Sequence, residues 1–155
     1  ASALRKMTRA NFVSGIGGTN EAEFSVIISS SGSTNIATGT NTTIPFGSEE
    51  FDPDGVFNTS TYKFTAPSAG KYFFSWCCRK SNFVSNRFFI DVYKNASGKA
   101  TFEDGGGSIY GSVGGTLVLD LAQNDTVHGE VYHDQGGTQA ISNNGTRFFG
   151  FKLIG

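Results

Sequence analysis

The sequence predicts an all-β domain, a sandwich or jelly roll, on three observations. Glycine is abundant, 21 residues in 155, amid many Ser, Thr and Asn. Short extended segments recur between clusters of Gly, Asn and Asp. No stretch carries apolar residues at a period of 3.6 for long enough to make a helix. β-Branched and aromatic residues, 15 Phe among them, supply the regular structure.

Along the chain, residues 1–20 precede the first strand pattern and carry Arg5, Lys6 and Arg9. They read as a leader or stem remnant, leaving 21–155 as the folded domain. EFSVII (23–28) is the first strand, followed by the polar tract 29–41 and by TTIPF. DPDG (52–55) reads as a tight turn, because Asp, Pro and Gly each favour turns for their own steric reasons. STYKFTA and GKYFFSWCC flank APSAG (66–70) and read as a hairpin-like unit. NRFFIDVYK, GTLVLDLA, DTVHGEVYH and TRFFGFKLI complete a set of eight or more strands. GGGS (105–108) and GSVGG (111–115) have no following helix to make them phosphate loops, and read as mobile loop tips.

Several strands carry rings on both faces. Between Thr61 and Cys78 there are six aromatic side chains, with Tyr72, Phe74 and Trp76 on one face of a strand and Phe73 on the other. Phe88, Ile90 and Val92 oppose Phe89 and Tyr93; Phe149, Phe151 and Leu153 oppose Phe148. A sandwich buries one face of each sheet, so rings on the second face need a loop, a ligand or another copy of the chain to cover them.

Twelve Lys and Arg against 13 Asp and Glu leave a net charge of -1, with no footprint for nucleic acid or an anionic membrane. No apolar run reaches the roughly 20 residues of a membrane span. The only cysteines, Cys77 and Cys78, are adjacent, so on a strand they point to opposite faces and cannot easily bridge each other. Sequons occur at Asn41, Asn58, Asn95, Asn124 and Asn144. His128 and His133 are five apart and on one strand would face opposite ways, which makes no two-histidine metal site. DPDG lacks the further ligands of an EF-hand, and no nucleophile elbow is present.

The segments YKFTAPSAGKYFFS (62–75), Phe24-Ser25, Ile44-Pro45-Phe46, Tyr93-Lys94-Asn95, Leu117–Leu121 with Asn124-Asp125-Thr126-Val127, and Phe149-Gly150-Phe151 follow one another in a recognisable order. In them the chain resembles the globular C1q domain of the C1q and tumour-necrosis-factor superfamily from about Glu23 to Ile154. Asn124 stands where the family has glycine, and Asn tolerates a positive φ better than most residues. The resemblance implies a ten-stranded jelly roll assembled as a three-fold homotrimer, commonly the binding head of a stalk. It implies a trimer interface drawn from Tyr72, Phe73, Phe74, Trp76, Phe149 and Phe151. It also implies a calcium site near the apex, with Glu103 and Asp104 as candidate ligands.

The expected function is non-enzymatic: a trimeric recognition or adhesion head, extracellular or on a virion or cell surface, requiring no cofactor, with calcium the one candidate. It would bind a glycan or surface protein, without nucleic acid and without membrane insertion. Its recognition loops would be 29–43, 49–58, 103–115 and 133–144, with Tyr110, Tyr132, His133 and Asp134 as contact side chains. A structural trimeric knob or decoration of a virion, fibre or spore is the alternative.

Overall fold

The computed structural model describes residues 21–153 apart from 30, 85, 105 and 106, so the expected leader lies outside the described residues. Thirteen antiparallel strands and no helix are found among the described residues. In order they are β1 (Phe24–Ile27), β2 (Ser33–Ile36), β3 (Thr42–Thr43), β4 (Ser48–Phe51), β5 (Phe57–Asn58), β6 (Lys63–Thr65) and β7 (Gly70–Arg79). Then come β8 (Phe88–Lys94), β9 (Ser97–Asp104), β10 (Ser112–Leu121), β11 (Thr126–His133), β12 (Gln139–Ser142) and β13 (Arg147–Lys152).

One sheet has the order β10-β7-β13-β1-β4 and the other β5-β6-β11-β8-β9, with β3 also pairing β11; β2 and β12 form a separate ribbon. The all-β jelly-roll class is therefore as expected. The extra strand segments beyond ten are short pieces, such as β2 and β12, at the ends of the sandwich.

Alternation within each strand fills the space between the sheets. β7 turns Tyr72, Phe74, Trp76 and Cys78 inward, and β13 adds Phe148. Phe64 and Val127 with Phe88, Ile90 and Val92 meet them from the other sheet. Trp76 and Phe148 stack at 4.5 Å, Phe24 meets Phe148 edge-on at 4.8 Å, and Phe64 meets Phe74 at 5.1 Å. Edge-to-face and offset pairs of this kind add to the area they bury.

Two expectations are corrected. β6 and β7 are not a hairpin: β6 pairs β5 and β11 in one sheet, while β7 pairs β10 and β13 in the other. The chain crosses between layers at APSAG, held by the Ala66 N–H donating to Asp125 O and the Tyr72 hydroxyl donating to Ser68 O. Ser112–Gly115 is not a loop tip but the start of β10. A Cβ on Gly114 would strike the Trp76 carbonyl and one on Gly115 the Phe102 ring, so these glycines permit close packing rather than mobility. DPDG is a tight turn: both carboxylate oxygens of Asp52 accept backbone N–H groups, from Val56 at 2.9 Å and Phe57 at 2.8 Å. Asn124 has φ 69°, the conformation expected where glycine would otherwise stand.

Candidate functional site

The outward face of the five-stranded sheet is the first surface to consider. Pairing puts Val118, Phe73 and Phe151 in one row across β10, β7 and β13. The next row runs Thr116, Ser75, Phe149 and Ser25, with Phe51 beside it on β4. Phe73 lies 5.3 Å from Phe151 and 6.3 Å from Phe149, so the three rings touch on the solvent side. Val118 and Phe51 are half-exposed. At the rim Arg147 Nη2 meets Glu50 Oε1 at 2.7 Å, and the Ser25 hydroxyl donates to Glu50 Oε2.

The six candidate interface rings thus divide. Tyr72, Phe74 and Trp76 are completely buried inside the protomer and offer a partner no surface, which corrects their assignment; Phe73, Phe149 and Phe151 stand on the open face.

At the end of the sandwich opposite Phe24 and Leu153, three loops are laced together. The Lys80 N–H donates to Gly111 O, the Phe83 N–H to Ile109 O and the Ser81 N–H to Ala140 O. The segments 81–84, 107–111 and the chain around β12 therefore meet here, while 52–58 lies at the other end beside Ala22, whose N–H donates to Asp54 Oδ2. Three of the exposed large apolar side chains, Val84, Ile109 and Tyr110, crowd this apical end, and Tyr110 is the most open at 56% exposed.

The other predicted contact residues behave differently. His133 is fully buried, with Nε2 3.0 Å from Ile36 O and its ring against Phe83, so it is no partner contact. It lies on the inward face of β11, a consequence of strand parity that its loop-end position concealed. Tyr132 stacks on Phe89 at 4.6 Å beneath the Arg87 guanidinium. Asp134 accepts from the Arg87 N–H.

Glu103 and Asp104 diverge, as neighbours on a strand must. Glu103 points outward to Arg87 Nε at 3.1 Å, and Asp104 inward to the fully buried Lys80 Nζ at 2.8 Å. Each carboxylate has a cationic partner, and the pair does not fit a shared calcium centre within one chain. No group of three or more His, Cys, Asp or Glu gathers as a metal cluster among the described residues.

Sequence reasoning missed the chemistry on the outer face of the six-stranded sheet. His128 stacks on Tyr93 at 5.3 Å with Nε2 3.5 Å from Glu130; burial, and Lys63 nearby, push its pKa below the ordinary histidine value. Asp125 accepts from Lys94 Nζ, Asn95 Nδ2 and the Ala122 N–H, which hold its pKa down to about 2. Both cysteines are free: burial pushes Cys78 up to about 12, and Cys77 is exposed on the open face.

Comparison with known proteins matches residues 24–153 to the C1q domain family. The globular domain of zebrafish complement 1qA protein is similar at 21% identity, covering 86% of this chain and 98% of that one, with a TM-score of 0.62. Eiger TNF from S. frugiperda is similar at 11% identity, covering 88% and 94%, with a TM-score of 0.68. PRD1 vertex protein P5 is similar at 14% identity, covering 88% and 100%, with a TM-score of 0.63. At these identities the likenesses speak to the fold. Comparison with curated proteins gives no match.

Proposed function

We propose, from the premise that the chain belongs to the C1q domain family, that it is a homotrimeric, non-enzymatic recognition head. Domains of this family are typically trimeric and generally non-enzymatic. The observation that carries the reading is the patch of Phe73, Phe149 and Phe151, continuous with Val118, on the open face of the five-stranded sheet. Contiguous rings in the middle of a sheet face are where a second copy excludes water most profitably, and a polar rim such as Arg147–Glu50 suits the edge of such a patch.

Trimerisation along that face leaves the apical loops free. Ile109, Tyr110 and Val84 form an apolar tip, and three copies of it would engage an extracellular or surface partner with avidity. Binding of the wild-type protein to a glycan or surface-protein array, lost in Tyr110→Ser together with Ile109→Ser while the trimer persists, is the expected outcome. A blank array, or binding indifferent to both substitutions, overturns the recognition reading.

A structural knob is the second reading, favoured by the likeness to PRD1 vertex protein P5 over the whole of that chain. It predicts that loss of the chain impairs the integrity of the particle or fibre that bears it while every array stays blank.

A further inference from the structure

We propose a monosaccharide subsite on the outer face of the six-stranded sheet, distinct from the apical loops, that takes an uncharged pyranose. The register of β8 against β9 slips between Val92 and Tyr93: Val92 pairs Ala100 and Tyr93 pairs Gly98, leaving Lys99 as the extra residue of a bulge. Bulges bend the strand and re-aim side chains. Here the bulge opens a depression of about 310 Å³, lined by Asp91, Tyr93, Gly98, Lys99, Ala100 and Thr101. That volume is at the lower end of the range for small-molecule sites, so it suits one ring rather than a longer oligomer.

The lining has the chemistry of sugar recognition. Tyr93 supplies an aromatic surface for a C–H face of the pyranose, and His128 stacked behind it at 5.3 Å pins the ring. Gly98 borders that ring with room to spare: a Cβ there would stand 4.0 Å from Tyr93 Cε1, so only a larger side chain would cover the ring edge. The Asp91 carboxylate is oriented in advance by the Thr101 hydroxyl and by Asn41 Nδ2 at 3.0 Å. Its remaining lone pairs can accept from sugar hydroxyls. Lys99, whose Nζ donates to Ser97 Oγ at 3.1 Å, brings an ammonium that can donate to them. A carboxylate and an ammonium in one small depression disfavour both anionic and cationic ligands and suit a neutral polyol with an apolar face. The site lies on the sheet opposite the aromatic patch, and its test reads the amides of the depression itself rather than the oligomeric state.

Amide spectra of the full chain, titrated with the methyl pyranosides of glucose, galactose, mannose and N-acetylglucosamine, test the proposal. At least one sugar should shift Asp91, Tyr93 and Gly98–Thr101, with weak affinity per site. Gly98→Val fills the depression at a residue with ordinary backbone conformation, and Asp91→Asn removes the charge while keeping the shape. Each should weaken binding by about tenfold or more, the worth of roughly one good contact. No shift at these amides with any of the sugars, equal binding by Gly98→Val, or the same shifts with acyclic sorbitol would overturn it.

Discussion

Lys80 is completely buried, and among the described residues its ammonium meets Asp104 at 2.8 Å as its one charged partner, with the Phe88 ring 5.5 Å away. Removing one member of a buried pair strands the other, and the cost depends on whether the stranded charge can reach water. Asp104 retains 19% side-chain exposure and Lys80 none. Asp104→Ala should therefore destabilise by about 3 kcal/mol and Lys80→Met by clearly less, as read by urea unfolding at one protein concentration. His128 couples stability to pH. Its folded pKa lies below the unfolded value, so the native state binds fewer protons, and its contribution is present above about pH 6.5 and lost as pH falls toward the folded pKa. The groups around it are Lys63 on β6, Tyr93 on β8 and Glu130 on its own strand. Stability should decline with acidification in that window, and His128→Phe should flatten the decline. Asp125, depressed to about 2, adds a separate loss at lower pH, as the medium passes below the ordinary carboxylate value. At the thiols, Cys77 should react with a maleimide in the folded single-chain Phe73→Ser protein while Cys78, buried with the Thr146 hydroxyl 3.7 Å from its sulfur, should not until unfolding.

Among the elements, β10 shows how glycine works inside a strand. Gly115 lies where the Phe102 ring crosses from β9, so Gly115→Val should destabilise by about 2 kcal/mol through overpacking, and Phe102→Ala should recover part of that loss by making room. Thermal unfolding of the two single variants and the double variant checks the coupling. The same strands show what could be read from the sequence. β1, β7, β8, β11 and β13 were legible because their apolar residues alternate with a buried face, as in Phe88, Ile90 and Val92. β9, β4, β2 and β12 were not, since SGKATFED, SEEF, STNI and QAIS are polar and bury little. β9 and β4 are sheet edges, and among the described residues β2 pairs β12 alone, so neighbours rather than their own pattern hold them. For that reason the bulge between β8 and β9, and the depression it opens, left no trace in the pattern.

Across the whole molecule, the doubled rings of β7 and β13 serve two surfaces. Parity along a strand separates Tyr72, Phe74 and Trp76 from Phe73, and this separation is readable from sequence; which set faces the core is decided by the layer on the far side. Phe24, Phe64 and Phe148 close over the first set, leaving Phe73, Phe149 and Phe151 on the open face. His133 was misjudged for the same reason, since its position at a strand end says nothing of the side on which the ribbon β2 and β12 would lie. On the proposed function, the open face is a seam between copies of the chain. Its most direct measurement is the solution mass by light scattering after size exclusion, for wild type and Phe73→Ser, each checked for an intact β-sheet circular dichroism spectrum. The expected result is three chain masses for the wild type and a folded species of one chain mass for Phe73→Ser. A monomeric wild type at micromolar concentration, or a Phe73→Ser protein that remains trimeric, would contradict it.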